Sequence, residues 1–311
     1  MGICDGRVAV ITGAGRGIGR GHALALAAAG AMVVANDLGV DVRGSGPSPA
    51  PASVVVDEIR AGGGRAVVSN EDVSDWDGAA RVVEQALDEF GGLDVVVNNA
   101  GILRDRMLVN MTLDDWEAVL RVHLTATFAT TRHAAQHWRA RAKAGDRVDA
   151  RVINTVSAAG LYGNIGQSNY GAAKAGIAAF TIIAAKELAH YGATVNAIAP
   201  GAHTRMSEQA GDTHASPPSG AFDERDAANI APLVVWLASH ESSGVTGRVF
   251  NVRGGRISVA EGWHAGPVVD KDGRWDAADL GAVIPGLVAR AAPAANLFGE
   301  TGDWNSPDNI C

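Results

Sequence analysis

The chain has 311 residues, 47% hydrophobic and 19% charged, with 39 glycines and a formal net charge of -8. That is a globular composition, sufficient for one large domain or two small ones, and its acidic balance excludes the broad basic surface of a nucleic-acid binder. Neither the amino-terminal stretch MGICDGRVAVITG nor any later segment offers a secretory signal or the roughly 18 apolar residues of a membrane span, and Cys4 and Cys311 form no metal or redox spacing, so the expectation is a cytoplasmic protein without a disulfide framework or membrane partner.

In chain order, strand-like and helix-like patterns alternate. Residues 7–13 are a β-branched run ending in glycine, 18–30 have helical spacing with Gly30 as a stop, and 31–37 read as a second buried strand. A helix over 53–64, a strand over 65–73, a helix over 76–92 and a strand over 93–101 follow. Residues 112–145 read as one long helix with Thr112 as N-cap and Asp115 at the third helical position. Its last turns carry Arg139, Arg141, Lys143 and Arg147, cations that complement the helix dipole. Then come a strand (150–157), a helix (168–192), a strand (193–201), a helix (227–240) and a seventh strand (247–255).

Such alternation predicts an α/β fold with a Rossmann-type, doubly wound, seven-stranded parallel sheet covered by helices on both faces. The Gly/Pro/Ser-rich stretch 39–52 reads as an insertion, and the polar stretch 207–226 as a mobile lid. The expected organisation is a single domain over 1–259 with an extension, 260–311, that packs on the core or on a neighbouring subunit.

Three glycines, Gly13, Gly17 and Gly19, fall between the first strand and the first helix. Glycine allows the tight turn and the close backbone approach that a pyrophosphate needs, and the helix start offers free N–H groups to the anion. Arg16 and Ile18 lie in the same loop. Asp37 ends the second strand, where a carboxylate accepts from ribose hydroxyls and repels a 2′-phosphate, which favours NAD; Arg16 argues weakly for NADP. Asp72 and Val73, ending the third strand, are candidates to flank the adenine, and Asn99, Ala100 and Gly101, ending the fourth, to pass beneath the cofactor.

Lys174 follows Tyr170 by four residues, so both share one helix face. An ammonium beside a phenol lowers the phenol's pKa and fits it for proton transfer to a substrate oxygen. Ser157, ending the fifth strand, is placed to hold the same oxygen; Tyr162, with no lysine at helical spacing, suits a pocket wall. His133 and His137 stand four apart but lack a third ligand, so no metal is expected. Arg104-Asp105-Arg106 suits either substrate phosphates or local ion pairs.

TGAGRGIG, NNAG, Ser157, YGAAK and Pro200-Gly201, in that order across residues 7–255, resemble the short-chain dehydrogenase/reductase family. The resemblance implies that Ser157, Tyr170 and Lys174 are the catalytic set, that Lys174 also holds the nicotinamide ribose, and that Pro200, Gly201 and Thr204 line the nicotinamide end. NDLG, NNAGILRDRML, RVHL, GLYGNIGQSNY, IAPGAHTRM and APLVVWLASHES are similar to the dehydrogenase units of type 2 peroxisomal multifunctional enzymes. That narrower likeness implies NAD-dependent oxidation of a (3R)-hydroxyacyl-CoA. Here His123 and Ala126 stand where much of the family has the asparagine and glycine of an N-L-x-G string; the narrower group also carries histidine, and His123 is a further catalytic candidate through a proton relay. A steroid or 3-oxoacyl-carrier-protein ketoreductase is the alternative enzyme, and a non-catalytic nucleotide-binding scaffold the alternative of another class. Gly171, Ala172, Ala175, Gly176 and Ala179 give the helix a small-residue face suited to close packing, so a homodimer or homotetramer is expected, in line with the family.

Overall fold

Strands β1 (Val8–Thr12), β2 (Met32–Asn36), β3 (Ala66–Ser69), β4 (Val95–Asn98), β5 (Ala150–Thr155), β6 (Ala193–Pro200), β7 (Val249–Arg253) and β8 (Arg256–Ala260) form one sheet in the order β3-β2-β1-β4-β5-β6-β7-β8. This is the arrangement in a computed structural model that describes residues 2–46, 50–209, 213–215, 217, 218 and 220–301. Every pairing from β3 across to β7 is parallel. Successive strands step outward from β1 in one direction and, from β4, in the other. That reversal opens a crevice at the carboxyl ends of β1 and β4, the place where such sheets receive ligands.

The seven expected strands are present; β8 is the addition. Only Gly254 and Gly255 separate it from β7, a connection that suits a hairpin and is too short for a parallel crossover. Its first four residues are exposed, so no buried-strand pattern marks it in the sequence.

The helices are α1 (Gly17–Ala28), α2 (Ala50–Ala61), α3 (Trp76–Phe90), α4 (Leu113–Leu120), α5 (Ala126–Lys143), α6 (Ala158–Tyr162), α7 (Ser168–Leu188), α8 (Arg205–Gln209), α9 (Ala231–Ala238) and α10 (Ala277–Arg290). Alternation within each strand divides the core. Ala9, Ile11, Val33, Val95 and Ile153 pack with Ala23 and Leu26 of α1 and Val234 and Leu237 of α9. Val8, Val10, Val34, Val96 and Val152 pack on the other face with Val82 of α3, Trp138 of α5 and Ala184 of α7. At roughly 25 cal/mol per Å² of apolar area, two such layers supply the dominant stabilisation.

The long helix expected over 112–145 begins as anticipated, with Asp115 N donating to Thr112 Oγ1 at 3.1 Å. It is not a continuous α-helix: Arg121–Thr125 is a π-helical turn between α4 and α5. A π turn inserts one residue without changing composition, so periodicity does not reveal it. Helix α6 was likewise outside the expected elements; the Ser157 hydroxyl starts it by accepting from Ala159 N at 3.2 Å. Of the irregular stretches, 47–49, 210–212, 216 and 219 lie outside the described residues, and α8 occupies the start of the expected lid.

At the amino ends of the strands, Arg7 and Arg151, 2% and 1% exposed, enclose Asp149. Arg7 Nη1 lies 3.1 Å from Asp149 Oδ2 and Arg151 Nη1 2.6 Å from Oδ1, with the His240 ring bonded to the same carboxylate. Arg151 Nε also donates to Ser239 O and Ser242 Oγ, which ties β5 to the segment after α9.

Chain contacts divide at Val259 and Ala260. In the second unit, Asp276 caps α10 by accepting from Ala278 N at 3.0 Å, and Ala295 and Thr301 form an antiparallel bridge. Cys311 lies outside the described residues. No helix among the described residues is long and apolar enough to cross a membrane.

Candidate active site

The loop between β1 and α1 is shaped by its glycines. Gly13 has φ +68°, and a Cβ there would sit 2.9 Å from Ala100 Cα. Gly17 has φ +50° with only the Thr204 methyl near, 3.7 Å from where its Cβ would be. No side chain caps α1 at Arg16, so the N–H groups of its first turn are left for an anion. The cradle therefore fits a dinucleotide pyrophosphate. Ile18 packs on the core below the loop. Arg16 Nη1 donates to Val40 O at 3.2 Å, so its side chain fastens the insertion after β2.

Asp37 is already engaged. Its Oδ2 accepts from Gly15 N at 2.7 Å and its Oδ1 from Gly39 N at 2.6 Å. These bonds fix the carboxylate beside the glycine loop, and each oxygen retains a lone pair for a ribose hydroxyl. Asp72 is exposed and accepts from Ser74 N and Oγ at 2.9 and 2.7 Å, and the Val73 side chain is buried in the core. Of the NNAG string, Asn98 turns inward: it donates to Asn154 Oδ1 at 2.9 Å and to Thr131 Oγ1 at 3.0 Å. Asn99 Nδ2 donates to Thr12 O and Gly13 O at 3.1 and 3.2 Å, while Thr12 Oγ1 accepts from Asn99 N and Ala100 N. Thr12 thus joins the first and fourth strand ends; sequence reading did not single it out, although it opens the TGAGRGIG string. At the far side Gly201 N donates to Val252 O, next to Pro200, and Thr204 Oγ1 accepts from Ser207 N at 3.2 Å.

Ser157, Tyr170 and Lys174 meet above the carboxyl ends of β4 and β5. The Ser157 hydroxyl is near enough to the Tyr170 phenol to lower its pKa. Lys174, 3% exposed, has its Nζ 5.6 Å from the Tyr170 ring centroid and donates to Thr155 O at 2.6 Å. The expected acidification of the phenol is not seen in this state. Burial pushes Tyr170 up to about 12, the Ser157 hydroxyl lowers it and the Asp105 carboxylate adds to the rise. Burial likewise brings Lys174 down to about 7. Desolvation penalises both charged forms.

His123 sits in the π turn, buried, with its ring edge-on to Tyr170 at 5.2 Å. Its Nε2 lies 3.1 Å from Ile102 N and 2.8 Å from Ile102 O, so the backbone of one residue serves either tautomer. Burial, then the Lys174 charge, hold it neutral, down to about 3. A Cβ on Gly101 would overlap the His123 ring, so the glycine ending NNAG is needed for the imidazole as well as for the strand end. Of the small-residue face on α7, Gly171 and Gly176 pack within the chain, against Ala159 O and Leu124, and Ala172, Ala175 and Ala179 are exposed.

The remaining candidates take structural partners. Tyr162 Oη accepts from Asn251 Nδ2 at 3.1 Å. His133 packs on Trp76 with ring centroids 4.4 Å apart, and no group of three or more His, Cys, Asp or Glu among the described residues could hold a metal. Arg104 Nη1 pairs with Asp114 at 2.5 Å.

A dinucleotide cradle beside a serine, a tyrosine and a lysine on a doubly wound sheet defines a nicotinamide-type oxidoreductase of the α/β class. Residues 7–215 match the family model for short chain dehydrogenase. A crystal structure of a short chain dehydrogenase from Mycobacterium avium superposes with a TM-score of 0.86 at 52% identity, covering 96% of this chain and 100% of that one. The chain belongs to the short-chain dehydrogenase family and is an oxidoreductase. The hydroxyacyl-CoA dehydrogenase ChsB1 of Mycobacterium tuberculosis is 42% identical over 295 residues, which is 93% of this chain and 90% of that protein. The peroxisomal multifunctional enzyme type 2 of Mus musculus is 43% identical over 81% of this chain, but the chain spans only 32% of that enzyme's length.

Proposed function

We propose that the protein interconverts a 3-hydroxyacyl-CoA and its 3-oxoacyl-CoA with NAD, through Ser157, Tyr170 and Lys174. The convergence of these three side chains beside an uncapped, glycine-shaped helix start carries the reading. Likeness to ChsB1 over 93% of the chain supports the acyl-CoA substrate. When bound, the nicotinamide dinucleotide supplies the two-electron acceptor or donor. Gly13, Arg16, Gly17, Ile18 and Gly19 form the pyrophosphate cradle, Asp72 and Val73 flank the adenine, and Asn99, Ala100 and Gly101 with Pro200, Gly201 and Thr204 bound the cleft. Asp37, fixed by Gly15 N and Gly39 N, meets the adenosine ribose and disfavours a 2′-phosphate, which selects NAD over NADP.

In the oxidative direction Tyr170, as phenolate, takes the proton of the substrate hydroxyl. Ser157 donates its hydroxyl hydrogen to the same oxygen while its lone pair accepts from Ala159 N. Lys174, held by Thr155 O, stabilises the phenolate as it forms and contacts the nicotinamide ribose. His123 completes a relay: because Ile102 serves either tautomer, its Nδ1 can give or take a proton while the ring stays in place. In the reverse direction Tyr170 is the acid.

Replacement Tyr170→Phe is expected to lower turnover of a 3-hydroxyacyl-CoA about 10²–10⁴-fold, the usual worth of general acid–base catalysis, while NAD still binds. Normal turnover in that variant would overturn the assignment. Since burial holds the phenol high, oxidation rates should rise with pH through the alkaline range as phenolate forms, and reduction rates should not.

The exposed Ala172, Ala175, Ala179, Ile182 and Ile183 of α7 and Phe128 of α5 support assembly as a homodimer or homotetramer. Cys4, a buried free thiol that desolvation makes less acidic, suits a reducing, cytoplasmic compartment.

A further inference from the structure

Beside the active site lies a cleft of about 320 Å³ lined by Arg43, Ser45, Leu103, Arg104, Asp105, Arg106 and Asp115. It forms where the insertion after β2 leans on the segment after β4. The insertion is built to stay there. Asp41 Oδ1 accepts from Arg43 N and Ser45 N at 2.8 and 2.9 Å, Asp41 N donates to Ser45 O, and Leu103 N donates to Val42 O at 2.8 Å. Arg104 Nε reaches Arg43 O at 3.3 Å. The other wall is tied to the start of α7, three residues before Tyr170: Gln167 Nε2 donates to Asp105 Oδ2 at 2.8 Å and Arg106 N to Gly166 O at 2.9 Å.

The charges in this cleft are not equivalent. Arg104 is neutralised by Asp114, with Asp115 4.0 Å away. Asp105 is turned to Gln167 and Asp115 to the Thr112 hydroxyl. Among the described residues neither Arg43, which feels the Asp41 carboxylate of its own turn, nor Arg106, which donates to Asp105 O at 3.1 Å, forms a side-chain ion pair; both are exposed and line one opening with Ser45. Two guanidiniums outside any side-chain ion pair among the described residues, one on the ordered Asp41–Ser45 turn and one on the segment after β4, match a phosphate ester.

We propose that Arg43 and Arg106 form a subsite for the phosphates of the substrate's nucleotide carrier, the adenosine 3′,5′-bisphosphate portion of coenzyme A. This rests on the thioester reading of the catalytic site and adds to it the means by which a phosphate-bearing thioester is preferred over a phosphate-free one. The anion enters beside the catalytic helix without displacing an existing ion pair.

The test compares kcat/KM for a 3-oxoacyl-CoA with that for the matching N-acetylcysteamine thioester, which lacks every phosphate. In the double variant Arg43→Ala/Arg106→Ala the CoA preference should fall at least about fivefold, since an exposed charge pair is worth a factor of about five. Raising the salt concentration should erode the preference of the wild-type protein and leave that of the variant flat. An unchanged ratio overturns the subsite, and so does equal loss with both thioesters. A second arm is independent of turnover: calorimetric titration with adenosine 3′,5′-bisphosphate at saturating NAD. Binding by the wild type that weakens in the double variant supports the subsite; no binding, or equal binding, overturns it. If neither thioester is turned over, the catalytic reading fails and the calorimetry still decides the cleft.

Discussion

Lys174 is the residue whose chemistry and stability pull in opposite directions. Its folded-state pKa is about 7 against an ordinary 10.5. Between those values the unfolded chain binds the proton and the folded chain does not, so stability rises with pH through that window and the full penalty is present below it. The penalty amounts to several kcal/mol at pH 7, on the order of 1.4 kcal/mol per pH unit. Replacement Lys174→Met should therefore raise the melting temperature at pH 7 by several degrees, with a smaller gain at pH 10, while abolishing turnover; calorimetric melts at both pH values check it. The candidate set was legible because Ser157, Tyr170 and Lys174 stand at fixed spacing on a strand end and one helix. The hydrogen-bond partners of Asp37, Asn98 and Thr12 were not, because they lie 22 to 87 positions away in sequence, and spacing along the chain carries no trace of them.

At the level of elements, α1 carries a burden unrelated to the nucleotide. His22 on its inner face is fully buried, and neither ring nitrogen has a partner among the described residues. Burial lowers its pKa to about 3, so the unfolded chain takes up the proton below pH 6.5 and stability falls as pH drops from 6.5 toward 3. His123 adds to the same acid limb. Replacement His22→Leu removes two unsatisfied polar atoms and should raise the urea midpoint at pH 7.5 by the equivalent of about 1–3 kcal/mol, and by more at pH 5. A variant no more stable than the parent at pH 5 would show that His22 is satisfied in solution. The order of elements was legible from periodicity, but the π turn at Arg121–Thr125, the short α6 and the exposed β8 were not. Each departs from a rule that periodicity assumes: one residue too many per turn, too few residues to show a period, or a strand with no buried face.

For the whole molecule, the proposed assembly rests on the exposed faces of α5 and α7. Phe128 is 43% and Ile183 54% exposed, and with Ala172, Ala175 and Ala179 they line adjacent helices. Light scattering should give a multiple of the 31.9 kDa chain mass, and Ile183→Glu, which places its charge twice in a two-fold interface, should return the monomer. A wild-type protein that scatters as a monomer would remove the assembly. The two ends of the sheet differ in kind. At the amino ends, Arg7, Asp149 and Arg151 lock β1 and β5 to the segment after α9. At the carboxyl ends, the candidate site residues other than Tyr170 and Lys174 of α7 sit mainly on turns and strand ends. Insertions and exchanges there leave the clamp intact, so a lineage built on this scaffold can try new substrates at one pole while the opposite pole keeps it foldable.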